Sequence, residues 1–216
     1  MSDGAHEGDT KVRIRRIAAE LFARDGYHAT GMAALTDAVG LGRGALYYHI
    51  GSKEALLHAI SMDAIDQLLP TARDIVEQDT SATEMVRALA RALMRNIATL
   101  RAEWTVFFRE YTGLSGDGRQ EVMAAREDYE SLWRRAVEKG MATGEFTMVE
   151  PIVVKGILGM FNYSYLWLSP NGAMSPEEVA DRFTEVVLAG ITAAGPGKSS
   201  PGTVRSRIAG HPRVLP

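Results

Sequence analysis

Arg43, Tyr47, Tyr48, His49 and Lys53 crowd into one short stretch of the chain. A guanidinium, two phenols, an imidazole and an ammonium supply hydrogen-bond donors and positive charge. Such groups suit phosphate oxygens and base edges in a major groove. They cannot all be buried beside their neighbours Leu46 and Ile50, so some must face solvent or a partner. Covalent or metal chemistry finds no comparable set. The chain has no Cys, and its His residues are scattered without ligand spacing. There is no HExxH, no GxSxG and no recognisable pair of carboxylates. Gly40-Leu-Gly-Arg-Gly44 lacks the Lys-Ser/Thr that a phosphate loop requires. Neither catalysis nor a cofactor is expected.

The elements that must hold those side chains are short helices. Met32, Leu35 and Val39 recur at spacings of three and four, one face of a helix. Thr30 stands just ahead and can cap it through its hydroxyl. Gly40 supplies the left-handed conformation that ends it. After Leu41 and Gly42 a second apolar set begins at Ala45, Leu46 and Ile50. Two helices joined by so short a glycine turn form a helix-turn-helix. Ser52 caps the next helix and places Lys53 at its N-terminus, where free N–H groups and the helix dipole favour a phosphate.

The run from Thr30 to Leu56 resembles the DNA-binding segment of TetR-type transcriptional regulators. Thr30, Met32, Gly40, Gly44, Leu46, Tyr47, His49, Ser52, Lys53, Glu54 and Leu56 carry the resemblance, and RRIAAELFARDGYHAT ahead of them matches the family's first helix. Leu35-Thr36 stands for the usual Ile-Ala, Ile50 for Phe, and Gly42 for a capping Ser. A Gly cap costs only a few tenths of a kcal/mol relative to Ser, roughly, but it removes one phosphate-contacting hydroxyl. The resemblance implies that Thr30, Gly42, Arg43, Gly44, Ala45, Tyr47, Tyr48, His49 and Lys53 meet double-stranded operator DNA.

Beyond this head the chain reads as helices throughout, about nine in all, with no strand-like alternation. Residues 1–9 are expected to be a disordered arm, and Thr10 to cap a helix running to Asp25. A helix from Ser52 should kink or break near Pro70. Ser81-Ala-Thr-Glu84 is a capping-box pattern. GLSGDG reads as a loop ahead of a long helix from about Arg119 to Thr143, and Gly144 ends that helix. Pro151 opens a very apolar helix through Leu168 that must be buried on more than one face. Ser175-Pro-Glu-Glu178 combines a capping box with Pro at the first helical position. The expected division is an arm at 1–9, a helix-turn-helix domain at 10–57, a ligand-binding and dimerisation domain at 58–195, and a disordered basic tail at 196–216.

Trp104, Phe108, Tyr111, Tyr129, Trp133, Phe161 and Tyr165, with Arg109 and Asn162 between them, form the candidate ligand site. An apolar cavity with a few convergent polar groups suits a small lipophilic molecule. The pattern WLSPNGAMSPEEVA followed by VVLAGI resembles a TetR subgroup that regulates sterol and fatty-acid breakdown, some of whose members respond to acyl-CoA thioesters. The family resemblance also implies a homodimer paired through its last two helices. The net charge is −3, yet Lys11 to Leu56 holds seven Lys or Arg against four Asp or Glu. A locally basic head on an acidic body can still grip DNA. No apolar run reaches the ~18 residues that span a bilayer, and the polar N-terminus lacks a signal segment, so a cytoplasmic protein is expected. The competing reading is a helical small-molecule carrier or protein-interaction module without sequence-specific DNA binding.

Overall fold

The computed structural model describes residues 3–192, so the basic tail expected at 196–216 lies outside the described residues. Among those described, nine α-helices and two short 3-10 turns follow one another, and the only β feature is an isolated bridge between Phe146 and Thr192. None of these helices is long and apolar enough to cross a membrane.

Helices α1 (Asp3–Asp25), α2 (Met32–Val39) and α3 (Arg43–Ile50) pack around Ile14, Ala18, Phe22, Leu35, Val39 and Leu46. Helix α1 starts at Asp3, so most of the expected arm is helical and Thr10 lies inside the helix rather than capping it. Gly40 ends α2 at φ 73°, where its N–H reaches the carbonyl of Thr36. Helix α4 (Lys53–Glu77) then leads out of this group. It runs unbroken through Pro70, although proline inside a helix typically costs about 3 kcal/mol. Leu68, Leu69 and Ala72 are buried on either side of Pro70, and that packing holds the helix together.

Helices α5 (Ala82–Thr99), α6 (Arg101–Arg109) and α7 (Gly116–Thr143) pack with α4 into one core continuous with the head. Helix α7 begins inside the stretch expected to be a loop. Ser81 accepts from the N–H of Glu84 as its pattern predicts, but a distant residue completes the cap. The N–H groups of Ala82 and Thr83 donate to the Glu145 carboxylate at 2.9 and 3.0 Å. Burial opposes ionisation of Glu145, yet these backbone donors outweigh it and hold its pKa below the usual range.

Helix α8 (Pro151–Asn162) passes into a 3-10 turn at Tyr163–Leu166 instead of continuing to Leu168. Helix α9 (Pro176–Ile191) carries the complete capping box between Ser175 and Glu178 and lies along α5. Arg91 joins them through a two-pronged contact with Asp181 at 2.7 and 2.8 Å. Within the protomer α8 buries a single face, through Val154, Ile157, Leu158 and Phe161. Ile152 and Val153 on α8, Val186 on α9 and the adjoining Met148 and Tyr163 are exposed, Met148 by 88% and Val186 by 66%.

Candidate nucleic-acid interface and effector site

Helix α3 is anchored by Leu46, its one fully buried side chain. At about 100° per residue, Gly44 and Tyr48 fall opposite Leu46 and Tyr47 on the flank; these three and Arg43 in the first turn are all exposed. Tyr48 projects furthest, at 74%. The Arg43 guanidinium lies 5.7 Å from the centre of the Tyr47 ring and is spread along the helix surface. Gly42 caps α3 without a side-chain bond, and nothing approaches within 4 Å of where a Cβ at Gly42 or Gly44 would stand. A phosphate can therefore come close to the first turn. Ala45 is exposed on the flank.

Ser52 caps α4 by accepting from the N–H of Ala55 at 3.0 Å. Lys53 is thereby fixed at the start of α4, with its Nζ 4.4 Å from the Tyr27 ring centre. Partial burial lowers its pKa. A cation at a helix N-terminus beside an exposed, guanidinium-bearing helix suits phosphates and base edges.

Two residues expected on this surface are placed otherwise. Thr30 is only 3% exposed, and its hydroxyl donates to the Gly26 carbonyl at 2.8 Å instead of capping α2. Gly31 is the N-cap, with no side-chain bond. Thr30 ties the α1–α2 turn together. His49 turns away from the exposed face of α3, and its ring meets Tyr48 edge-on at 5.2 Å. It lines a cavity of about 70 Å³ with Lys11, Arg15 and Leu56, and its Nδ1 is buried without a hydrogen-bond partner.

The nine residues of the expected ligand site do not form one cluster. Trp104 stacks on Phe108 at 5.3 Å, and Phe108 meets Tyr165 at 5.1 Å. Separately, Tyr129, Trp133 and Phe161 run in a chain at 6.5 and 5.5 Å, which continues to Phe183. Trp104 is anchored by its Nε1, which donates to Asn96 Oδ1 at 2.7 Å. The second cluster is less satisfied. The buried Tyr129 hydroxyl and Trp133 Nε1 on α7 have only each other for company, and Ser61 Oγ on α4 is buried without a hydrogen-bond partner. Burial raises the Tyr129 phenol pKa. Arg109 is exposed and Asn162 half-buried.

Sequence reasoning missed two features. A cavity of about 450 Å³ lies on the exposed side of α8 and α9, lined by Met148, Val153, Ile157, Val186 and Gly190 among others. Arg126 of α7 sits over Phe107, Phe108 and Tyr111. Nothing local pairs it with those rings, because they come from α6 and the 3-10 turn Tyr111–Gly113 after it.

The signature of bacterial regulatory proteins of the tetR family matches residues 14–60, and that of the tetracyclin repressor-like C-terminal domain matches residues 79–191. The chain belongs to the TetR family. It is a ligand-responsive, DNA-binding regulator built on that fold. The HTH-type transcriptional repressor KstR2 of Mycolicibacterium smegmatis is 28% identical over 182 residues, covering 83% of this chain and 89% of the relative. The TetR-family regulator PfmR of Thermus thermophilus has a TM-score of 0.77 at 31% identity, over 82% of this chain and 97% of its own. AibR, solved with isovaleryl coenzyme A and operator DNA, has a TM-score of 0.73 at 26% identity, over 82% and 97%.

Proposed function

We propose that this TetR-family protein is a cytoplasmic, homodimeric repressor and not an enzyme, and that an acyl-CoA thioester releases it from a pseudo-palindromic operator. The observation that carries the DNA reading is the bare face of α3, with Arg43, Gly44, Tyr47 and Tyr48 exposed and Lys53 fixed beside it at the start of α4. The effector class is supported by the likeness to AibR, a protein seen with isovaleryl coenzyme A. Dimerisation is supported by the apolar outer face of α8 and α9, which the protomer leaves uncovered. Two such heads would meet successive major grooves about 34–36 Å apart.

The head is residues 10–57 and the body 58–195, and α4 belongs to both. Ser115, at the start of α7, donates its N–H and hydroxyl to the Glu54 carboxylate at 2.8 and 2.7 Å. These bonds hold the Glu54 pKa down. A ligand that displaces α7 thus moves α4, and with it the head. It shifts the population only to the extent that it binds one head spacing better than the other. A single head separation in apo, ligand-bound and DNA-bound structures would sink this lever.

The decisive experiment is fluorescence anisotropy with duplexes tiling the DNA upstream of the protein's own gene, against a random duplex at near-physiological salt. Tight binding to one tile, relieved by an acyl-CoA, is expected. Weak and equal binding to every duplex, here and across genomic DNA, would favour the carrier or interaction module instead.

A further inference from the structure

The arginines of this chain sort into two groups. Most of those described are paired with a carboxylate, or donate to a backbone carbonyl as Arg13 and Arg101 do. Among the described residues, only Arg43, Arg109, Arg119 and Arg126 have neither partner. Arg43 lies on the DNA-facing helix. Arg119 and Arg126 converge on one ring, since their guanidinium carbons lie 6.0 and 5.4 Å from the centre of Tyr111. Arg126 also lies 5.3 Å from Phe107 and 5.9 Å from Phe108. Arg109, at the end of α6, makes no ring contact of this kind.

A guanidinium held on ring faces keeps its N–H donors pointing outward. In an acidic chain that elsewhere neutralises its arginines, two left without counter-ions are poised for an external anion. Tyr111, half-buried and packed against no other aromatic ring among the described residues, leaves apolar surface at the same place. Phosphate charge and a planar base are the two features that the nucleotide end of coenzyme A presents.

We propose that Arg126 and Arg119, set against Tyr111 and Phe108, hold the phosphorylated adenosine head of the effector. The inference rests on the acyl-CoA reading and assigns the head group to a site separate from the buried Tyr129–Trp133 cluster. The placement also gives the head group mechanical leverage. Tyr111 and Arg119 bracket the segment that carries Gly113, which fits flush on Tyr27 and Leu57, and Ser115, which is bonded to Glu54. A Cβ at Gly113 would come within 2.9 Å of the Tyr27 ring, so this segment bears directly on the head. Phosphates drawn to Arg119 and Arg126 act on the joint that sets the head's position.

The test uses the full-length protein and three probes: adenosine 3′,5′-bisphosphate, isovaleryl-CoA and isovaleryl-pantetheine, which lacks the nucleotide. Binding is read by tryptophan fluorescence, since Trp104 stacks on Phe108, and operator release by anisotropy. The bisphosphate should bind the wild type and weaken as salt is raised. Arg126→Gln and Arg119→Gln should each weaken bisphosphate and isovaleryl-CoA about tenfold or more, the usual scale for a lost charge-assisted hydrogen bond. Pantetheine thioester binding should stay unchanged. If Arg126→Gln does not fold, Arg119→Gln carries the test, because Arg119 is exposed and unpaired. No bisphosphate binding to the wild type, or unchanged binding by the variants, overturns the inference while leaving the acyl-CoA reading intact. Variants that lose operator affinity but keep the bisphosphate would reassign the two guanidiniums to DNA phosphates. Arginine-dependent bisphosphate binding without operator release by isovaleryl-CoA would keep the head-group site and discard the thioester as effector.

Discussion

The reading head and the C-terminal pair α8–α9 each leave one helix face bare, and the two faces differ in kind. Helix α3 turns Arg43, Tyr47 and Tyr48 outward around a single buried anchor, Leu46. Helices α8 and α9 turn out Ile152, Val153 and Val186 over a broad buried back. A bare polar face with unpaired cations waits for phosphate. A bare apolar face, rarely tolerated at this extent on a lone protomer, waits for another apolar face. On the proposed function the two faces engage DNA and a second copy by two physical means, Coulombic attraction and the removal of apolar surface from water.

The largest effect should come from erasing the apolar face. Val186→Glu buries a charge in the proposed pairing surface and should convert dimer to monomer in analytical ultracentrifugation. Operator affinity should then fall roughly 100-fold or more, because the second half-site no longer binds intramolecularly. A monomeric variant with full operator affinity would break the comparison.

Charge removal on the polar face should have a smaller effect of a different kind. Tyr48→Ala and Lys53→Ala should weaken operator and random duplexes alike, and Lys53→Ala should flatten the log–log salt dependence by about one unit. The dimer should persist in both. A loss confined to the operator would mean that these side chains read bases, a discrimination worth about 1–3 kcal/mol per good contact.

Stability of the body should be separable from both faces. Glu145→Ala removes the distant cap from α5 and should lower stability by about 1 kcal/mol. For a domain of this size that is about 2–4 °C in thermal melting. Because the folded pKa of Glu145 is lowered, its contribution is complete above the ordinary glutamate range and is lost as the pH falls through the folded value. The difference between wild type and variant should therefore shrink in acid. DNA binding at neutral pH should be unaffected.

The smallest effect concerns the joint between the two regions. Glu103 on α6 is 9% exposed, and burial raises its pKa, with Asp63 and Glu20 adding repulsion. Its ionised form is therefore a burden that is relieved as the pH falls through the raised value. Glu103→Gln should raise the melting temperature slightly at neutral pH, and the gain should vanish in acid. A loss of stability at neutral pH would show that the carboxylate has a compensating role.

Most of the helices were readable from short stretches, and the reason is range. The Ser52 cap, the Ser175–Glu178 box, the left-handed Gly40 and Gly144 and the opening Pro151 act within one turn of their own positions. Period and spacing alone therefore announce them, and with them the helix-turn-helix. Range also explains the errors. Thr30 was free to cap α2 or bond backward to Gly26, and the packed α1–α2 turn chose the second. His49 belongs to a run of outward side chains, yet the crossing of α3 with α1 and α4 tucks it inward. Pro70 announces a break that burial on both sides overrides. Glu145 caps a helix that starts more than sixty residues earlier in the chain. The aromatic residues could be named from the sequence, but their division into two clusters, and the seat of Arg126 on two rings of α6 and one of the 3-10 turn that follows it, depend on how α6 and α7 cross. Crossing angles are set by the summed packing of many side chains over the whole core, which no local window contains.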